Sequence, residues 1–332
     1  MTFSPAQIET QAETFREVFT GLRAQIRRVF VGQVDLLDQL LIAFVCRGHV
    51  LLEGPPGVGK TLLVRTLGEA LNLKYARIQC TPDLMPADIT GTNLLVESPA
   101  GARTFTFQPG PIFANVVLAD ELNRATPRTQ SAFLEAMQER HVTVFGVTHQ
   151  LDDPFAVIAT QNPIEMEGTY PLPEAQLDRF FFKLTVAMPG FDDLAEILAR
   201  TTGTDTVEPT RTFGAATVRE MSDLVKQVAV AEPAMRFALN VVRGTHPDTA
   251  EASTTVKKYV RFGASPRAAQ ALILGSKAVA LLAGRYHVAV EDVRRLVLPA
   301  LNHRIIRNFH GEMEHVSVAA IIDSVVEAVG ER

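Results

Sequence analysis

A parallel sheet covered by helices on both faces, followed by a smaller all-α domain, is the fold class this sequence predicts. Two observations carry that expectation. In the first half, near-continuous apolar runs alternate with helical stretches, as in strands buried on both faces and joined by helical crossovers. After Pro189-Gly190 the strand-like runs stop and helical periodicity takes over. The boundary therefore falls there, with an α/β domain over 1–189 and a helical domain over 190–332.

Five strands are expected: His49–Leu52, Lys74–Gln79, Val116–Ala119, Ala156–Thr160 and Phe180–Val186. Three of them end in residues that chemistry can use. These are Glu53 with the glycine-rich stretch behind it, Asp120-Glu121, and Thr160-Gln161-Asn162. Open α/β sheets bind ligands beyond the carboxyl ends of their strands, so the three tips should gather around one ligand. Two hairpins interrupt the alternation, Asn93–Phe107 around Ser98-Pro99-Ala100-Gly101 and His141–Leu151 around Gly146. They sit where an enzyme would present loops to a partner or a central pore. In the second half, helices are expected over Phe191–Arg200, Val218–Val230, Met235–Arg243, Pro266–Leu282 and Val290–Leu301. Asp292, Arg294 and Arg295 are expected on the solvent side of the last helix, and Gly244–Lys257 as a polar loop.

Composition sets bounds. Hydrophobic residues make up 47% and charged residues 21% of the 332, which excludes a disordered chain. A net charge of −5 argues against broad electrostatic capture of nucleic acid. Cys46 and Cys80 both lie beside apolar runs and read as reduced, buried thiols. No apolar run approaches a membrane span and the N-terminus reads as a polar helix, so a cytoplasmic protein is expected.

Gly54-Pro55-Pro56-Gly57-Val58-Gly59-Lys60-Thr61 matches the pattern G-x-x-x-x-G-K-[ST] at every fixed position, between an apolar run and a helix former. Glycines let backbone N–H groups curl around phosphate oxygens, and the following helix points its positive end at the same anion. Lys60 supplies a charge for the outer phosphates and the Thr61 hydroxyl a ligand for Mg²⁺, so ATP and Mg²⁺ are the expected cofactors. Asp120 and Glu121 end a buried strand, where two unpaired carboxylates would be costly. Beside a phosphate loop, Asp120 reads as the Mg²⁺ holder and Glu121 as the base that takes a proton from the attacking water. Asn162 is an amide at a strand tip, suited to orienting that water, and equally a turn former before Pro163. Arg179 precedes the fifth strand at the wrong edge for its own nucleotide, so a neighbouring subunit is its expected recipient; the alternative is an ion pair with Asp178. Arg267 follows Ser265-Pro266 at a helix start, where a cation opposes the dipole unless an anion lies near.

Together these stretches resemble the AAA+ ATPases, and more narrowly the MoxR family. The matching segments are Val31-Gly32-Gln33, Gly54–Thr61, Thr81–Gly91, Gly110–Phe113, Ala119–Ala125, Leu172–Phe180 and Ser265-Pro266-Arg267, spread over nearly the whole chain. The resemblance implies an ATP-binding domain with a helical lid, assembled into a homo-oligomeric ring that is commonly hexameric. It places Val31 and Gly32 on the adenine, Lys60 and Thr61 in Walker A, and Asp120 and Glu121 in Walker B. Asn162 becomes the first sensor, Arg179 the arginine finger and Arg267 the second sensor. Arg124 and Arg128 also can face the subunit boundary. The two hairpins resemble the helix-2 insert and the pre-sensor hairpin. Such proteins remodel client protein complexes in a chaperone-like way, often with a von Willebrand factor A domain partner. A magnesium-chelatase-like subunit, a nucleic-acid motor and a non-hydrolysing scaffold are the alternatives. For a motor the hairpins offer only Arg103, Arg140 and two histidines as basic groups.

Overall fold

A computed structural model describes residues 5–97, 103–163, 168–203, 208–210 and 213–330. Its main sheet comprises β1 (Val50–Glu53), β2 (Tyr75–Gln79), β3 (Val116–Asp120), β4 (Ala156–Gln161) and β5 (Phe182–Thr185). The strand order is β2-β3-β4-β1-β5 and every pairing is parallel. Register lines up the functional tips: Gln79 pairs with Asp120, Leu52 with Thr160 and Glu53 with Gln161.

Why the strands read as unbroken apolar runs is visible in the core. Successive side chains of a strand point to opposite faces, and here both faces are covered. Leu51, Val117, Ala119, Val157 and Ala159 enter one cluster, with Ile89, Phe133 and Phe180. Leu52, Val116, Leu118 and Ile158 enter the other. That second cluster takes in α1 (Pro5–Arg27), α2 (Val34–Val45) and α3 (Lys60–Ala70), and runs on without a break to Leu272, Leu281, Leu296 and Leu301 of the later helices. The helical part is thus fused to one face of the sheet through shared side chains.

The hairpins form as Gly91–Glu97 with Arg103–Pro109 and His141–Val144 with Val147–Gln150. The expected turn at Ser98–Gly101 lies outside the described residues. In the second hairpin Phe145 and Gly146 have φ of 49° and 79°, the two left-handed positions of a tight two-residue turn.

Three expectations for the second half are corrected. Besides helices it holds two short strand pairs, Ala229–Val230 with His287–Val288 and Val260–Phe262 with Ile306–Arg307. The stretch expected as a loop up to Lys257 starts a helix at Thr254, whose N-terminal N–H groups are capped by Ser253. Asp292 does not face solvent. It is buried, accepts from the Ala289 N–H at 2.8 Å and pairs with Arg285. Periodicity put it on the polar face, but its neighbours supply a cap site and a guanidinium there.

His49, just before β1, is buried and structural. One ring nitrogen accepts from the Val157 N–H at 2.9 Å and the other donates to the Met137 carbonyl at 3.0 Å. Burial, and then the nearby Arg140 charge, push its pKa down to about 3 from the usual 6.5. The folded chain keeps this ring neutral while the unfolded chain protonates it below 6.5. Its contribution is therefore complete above that pH and is lost as pH falls toward 3, by about 1.4 kcal/mol per pH unit. Denaturant midpoints should drop between pH 6.5 and 4, and His49→Gln should flatten that slope; an unchanged slope would exclude His49 as the cause.

Candidate functional site

The glycine-rich loop leaves β1 under two constraints. A Cβ on Gly54 would lie 2.4 Å from the Val186 carbonyl, so close passage of the chain after β5 requires glycine there. Gly57 and Gly59 have φ of 81° and 86°, while a Cβ on Gly57 would meet nothing; conformation, not crowding, selects it. The left-handed glycines bend the loop back and hand the chain to α3 at Lys60. Lys60 Nζ curls back onto its own loop, donating to the Gly54 and Pro55 carbonyls. Burial pulls its pKa below the usual lysine value, against the opposing pull of Asp120, Glu121 and Glu53.

Asp120, at the tip of β3, is buried and fully engaged. One carboxylate oxygen accepts from Arg77 Nε and Nη2 at 2.9 and 2.7 Å, and the other from the Thr160 hydroxyl at 2.7 Å. The cost of a buried carboxylate is therefore met by a guanidinium from β2 as well as by any cation that binds. Glu121, one residue on, has φ of 57° and turns out of the strand line. Its N–H donates to the Thr160 hydroxyl at 2.8 Å, so one side chain on β4 sets both acidic residues. The Glu121 carboxylate accepts from Gln79 and Arg124, each at 3.0 Å.

Lys60, Thr61, Asp120, Glu121 and Asn162 line one cleft of about 370 Å³, within the size range of small-ligand sites. The residues fit a polyphosphate: a glycine-rich loop, the Lys60 ammonium and a helix N-terminus open on the same space. They also fit Mg²⁺. The Thr61 hydroxyl lies 3.5 Å from Asp120 Oδ2, two hard oxygens near enough to share one small ion. Among the described residues no group of three His, Cys, Asp or Glu could hold a metal alone.

Other expected site residues lie elsewhere. Val31 is buried and Gly32 has φ of 74°, with the Asp193 carboxylate where a Cβ would go. Gln33 ties this loop to the backbone of Ala187 on both its N–H and its carbonyl. Arg179 is outside the cleft. It donates to the Leu134 carbonyl at 2.8 Å, and shares a surface depression with Ser131, Glu135 and Glu139. Arg267 pairs with Asp178 at 3.4 Å, and Ser265 caps its helix as expected while donating to the same carboxylate. The Asp178–Arg179 pair is thus corrected: Asp178 is taken by Ser265, Arg267 and the buried Arg304. Sequence reasoning missed Arg77, Gln79 and Arg304. Strand alternation places Arg77 and Gln79 on one face of β2, two residues apart, and was the signal available for that pair.

Residues 49–182 match the family described as ATPase family associated with various cellular activities (AAA), and residues 252–325 match the AAA lid domain. Chaperone MoxR1 of Mycobacterium tuberculosis is 39% identical over 315 residues, spanning 94% of this chain and 82% of that protein. Protein MoxR of Paracoccus denitrificans is 30% identical, over 94% of this chain and 95% of its own length. The crystal structure of an ATPase candidate from Cytophaga hutchinsonii superposes with a TM-score of 0.90 at 35% identity, covering 97% of both chains. With relatives of that name matched over 94% of its length and the AAA and AAA lid models matching in order along it, this chain belongs to the MoxR family of AAA+ ATPases.

Proposed function

We propose that the chain is an Mg²⁺-dependent ATP hydrolase working as a cytoplasmic homo-oligomeric ring, commonly hexameric in this family, to remodel or activate a client protein complex. A von Willebrand factor A domain protein is its expected partner. The observation that carries the reading is the meeting of Lys60, Thr61, Asp120, Glu121 and Asn162 in one cleft while Arg179 lies outside it. The cleft offers groups suited to binding ATP and activating water, while among the described residues no arginine lines it to meet the charge that develops on the transferred phosphoryl group.

The division of labour follows from the contacts. The loop N–H groups and Lys60 hold the β- and γ-phosphates. Thr61 and Asp120 would hold Mg²⁺, whose charge would neutralise phosphate oxygens when bound. Glu121 takes the proton of the attacking water, and Asn162 orients that water. Thr160 fixes Asp120 and Glu121 relative to each other. Arg267 would leave Asp178 to sense the nucleotide from the lid, and Val31 and Gly32 would pack on the adenine. The sheet part over 1–189 and the lid over 190–332 then act as two jaws.

A protein client is favoured over nucleic acid by the hairpins. Arg103 is paired with Glu97, Arg140 is turned onto the Phe155 and Arg47 carbonyls, and His149 stacks on Phe107. The hairpins also expose large apolar side chains, led by Phe105 and Phe145, with Leu95 and Val147 beside them. Among the described residues no helix is long and apolar enough to cross a membrane. Phosphate release per subunit should rise steeply with protein concentration as rings assemble, vanish in EDTA and ignore added DNA. Turnover independent of concentration would refute the shared site, and salt-sensitive stimulation by DNA would favour the motor.

A further inference from the structure

Asp178 is the one carboxylate in the strip between the Glu174–Leu177 helix and β5, and it sits beside Arg179 in sequence. Every side chain that its carboxylate bonds belongs to the lid. Its carboxylate accepts from Ser265 Oγ at 2.6 Å, from Arg304 Nε at 2.9 Å and from Arg267 at 3.4 Å. Arg304 has a side chain only 2% exposed, and its guanidinium also donates to the carbonyls of Asp178, Phe180 and Phe181. His303 adds a bond to the Phe180 carbonyl at 3.0 Å. Arg179 itself is tied to the other jaw, through the Leu134 carbonyl. One peptide link therefore joins a lid-held residue to a residue held by the sheet.

We infer that Asp178 is a positioning residue for Arg179, through which the lid of one copy sets the guanidinium offered to the neighbouring copy's ATP. Arg267 gives the link its input. As the proposed nucleotide sensor it would have two anions to choose between, Asp178 and the nucleotide on its own subunit. The Arg267–Asp178 contact is the longest of the three and half exposed, so it is the one that a phosphate displaces. Ser265 and Arg304 then keep the strip fastened to the lid while the lid moves. Nucleotide occupancy in one site is in this way communicated to hydrolysis in the next.

This rests on Arg179 acting across the interface, and the test separates the two ideas. Acceptor subunits carry Arg179→Ala and so depend on a neighbour's arginine. Donor subunits carry Glu121→Gln, which keeps bound ATP but not turnover. Mixing them should restore phosphate release by the acceptors; failure here sinks the trans role of Arg179 and not the link. Donors carrying Glu121→Gln with Asp178→Asn should then restore about 10- to 100-fold less, the penalty for a misplaced catalytic group. Assembly of the donor is measured alongside and should not change, and its ATP affinity should not fall, since Arg267 loses the anion that competes with the nucleotide; a merely structural role would lower both. Equal restoration by the two donors overturns the link. If Asp178→Asn donors do not assemble, Ser265→Ala donors decide, since they lose one bond and keep the buried ion pair: a partial loss of restoration supports the link and full restoration overturns it.

Discussion

Glu121→Gln should leave ATP binding intact and slow phosphate release by about 10²- to 10⁴-fold, the usual worth of a positioned general base. The amide keeps the size of the side chain and one acceptor oxygen, which suffices because the bonds from Gln79 and Arg124 both fall on the same carboxylate oxygen. The backbone N–H to Thr160 is untouched, and Asp120 stays where it is. What is removed is the capacity to accept a proton. The variant should consequently accumulate as an ATP-bound assembly, which size-exclusion chromatography with ATP resolves and which also serves to capture clients. Turnover at the wild-type rate would take Glu121 out of the chemistry; loss of ATP binding would show that its charge serves the cradle.

Much of this site was legible in the chain because its chemistry is local. Gly54–Thr61 encodes a loop, a charge and a helix start within eight consecutive residues, and the strand tips at Asp120 and Asn162 follow from apolar runs that stop abruptly. What could not be read was lateral. Arg77 reaches Asp120 from the neighbouring strand, Thr160 sets both acidic residues from the strand on the other side, and Arg304 closes on Asp178 from 126 residues away. Each depends on sheet order or on lid packing, which no periodicity states. Asp292 failed for the same reason: a helical wheel shows a polar face, not the Arg285 and Ala289 N–H that wait there.

Arg179→Ala should assemble and bind ATP yet lose about 10³- to 10⁵-fold in turnover, the range for a guanidinium that stabilises transferring phosphoryl charge. Geometry sets the expectation: the side chain is outside the cleft that holds Lys60 and Glu121, so its removal costs nothing in ground-state contact with that subunit's own phosphates. Its present bond, to the Leu134 carbonyl, is worth about 1 kcal/mol, and its Nε is buried without a partner, so folding should suffer little. A defect in the transition state alone predicts that kcat falls while KM for ATP holds. Mixing Arg179→Ala with Lys60→Ala subunits should bring activity back, because each supplies what the other lacks at a shared boundary. Two inactive variants that stay inactive when mixed, in rings shown to contain both, would place the arginine's action within its own subunit, and Arg124 or Arg128 would become the groups to test at the interface.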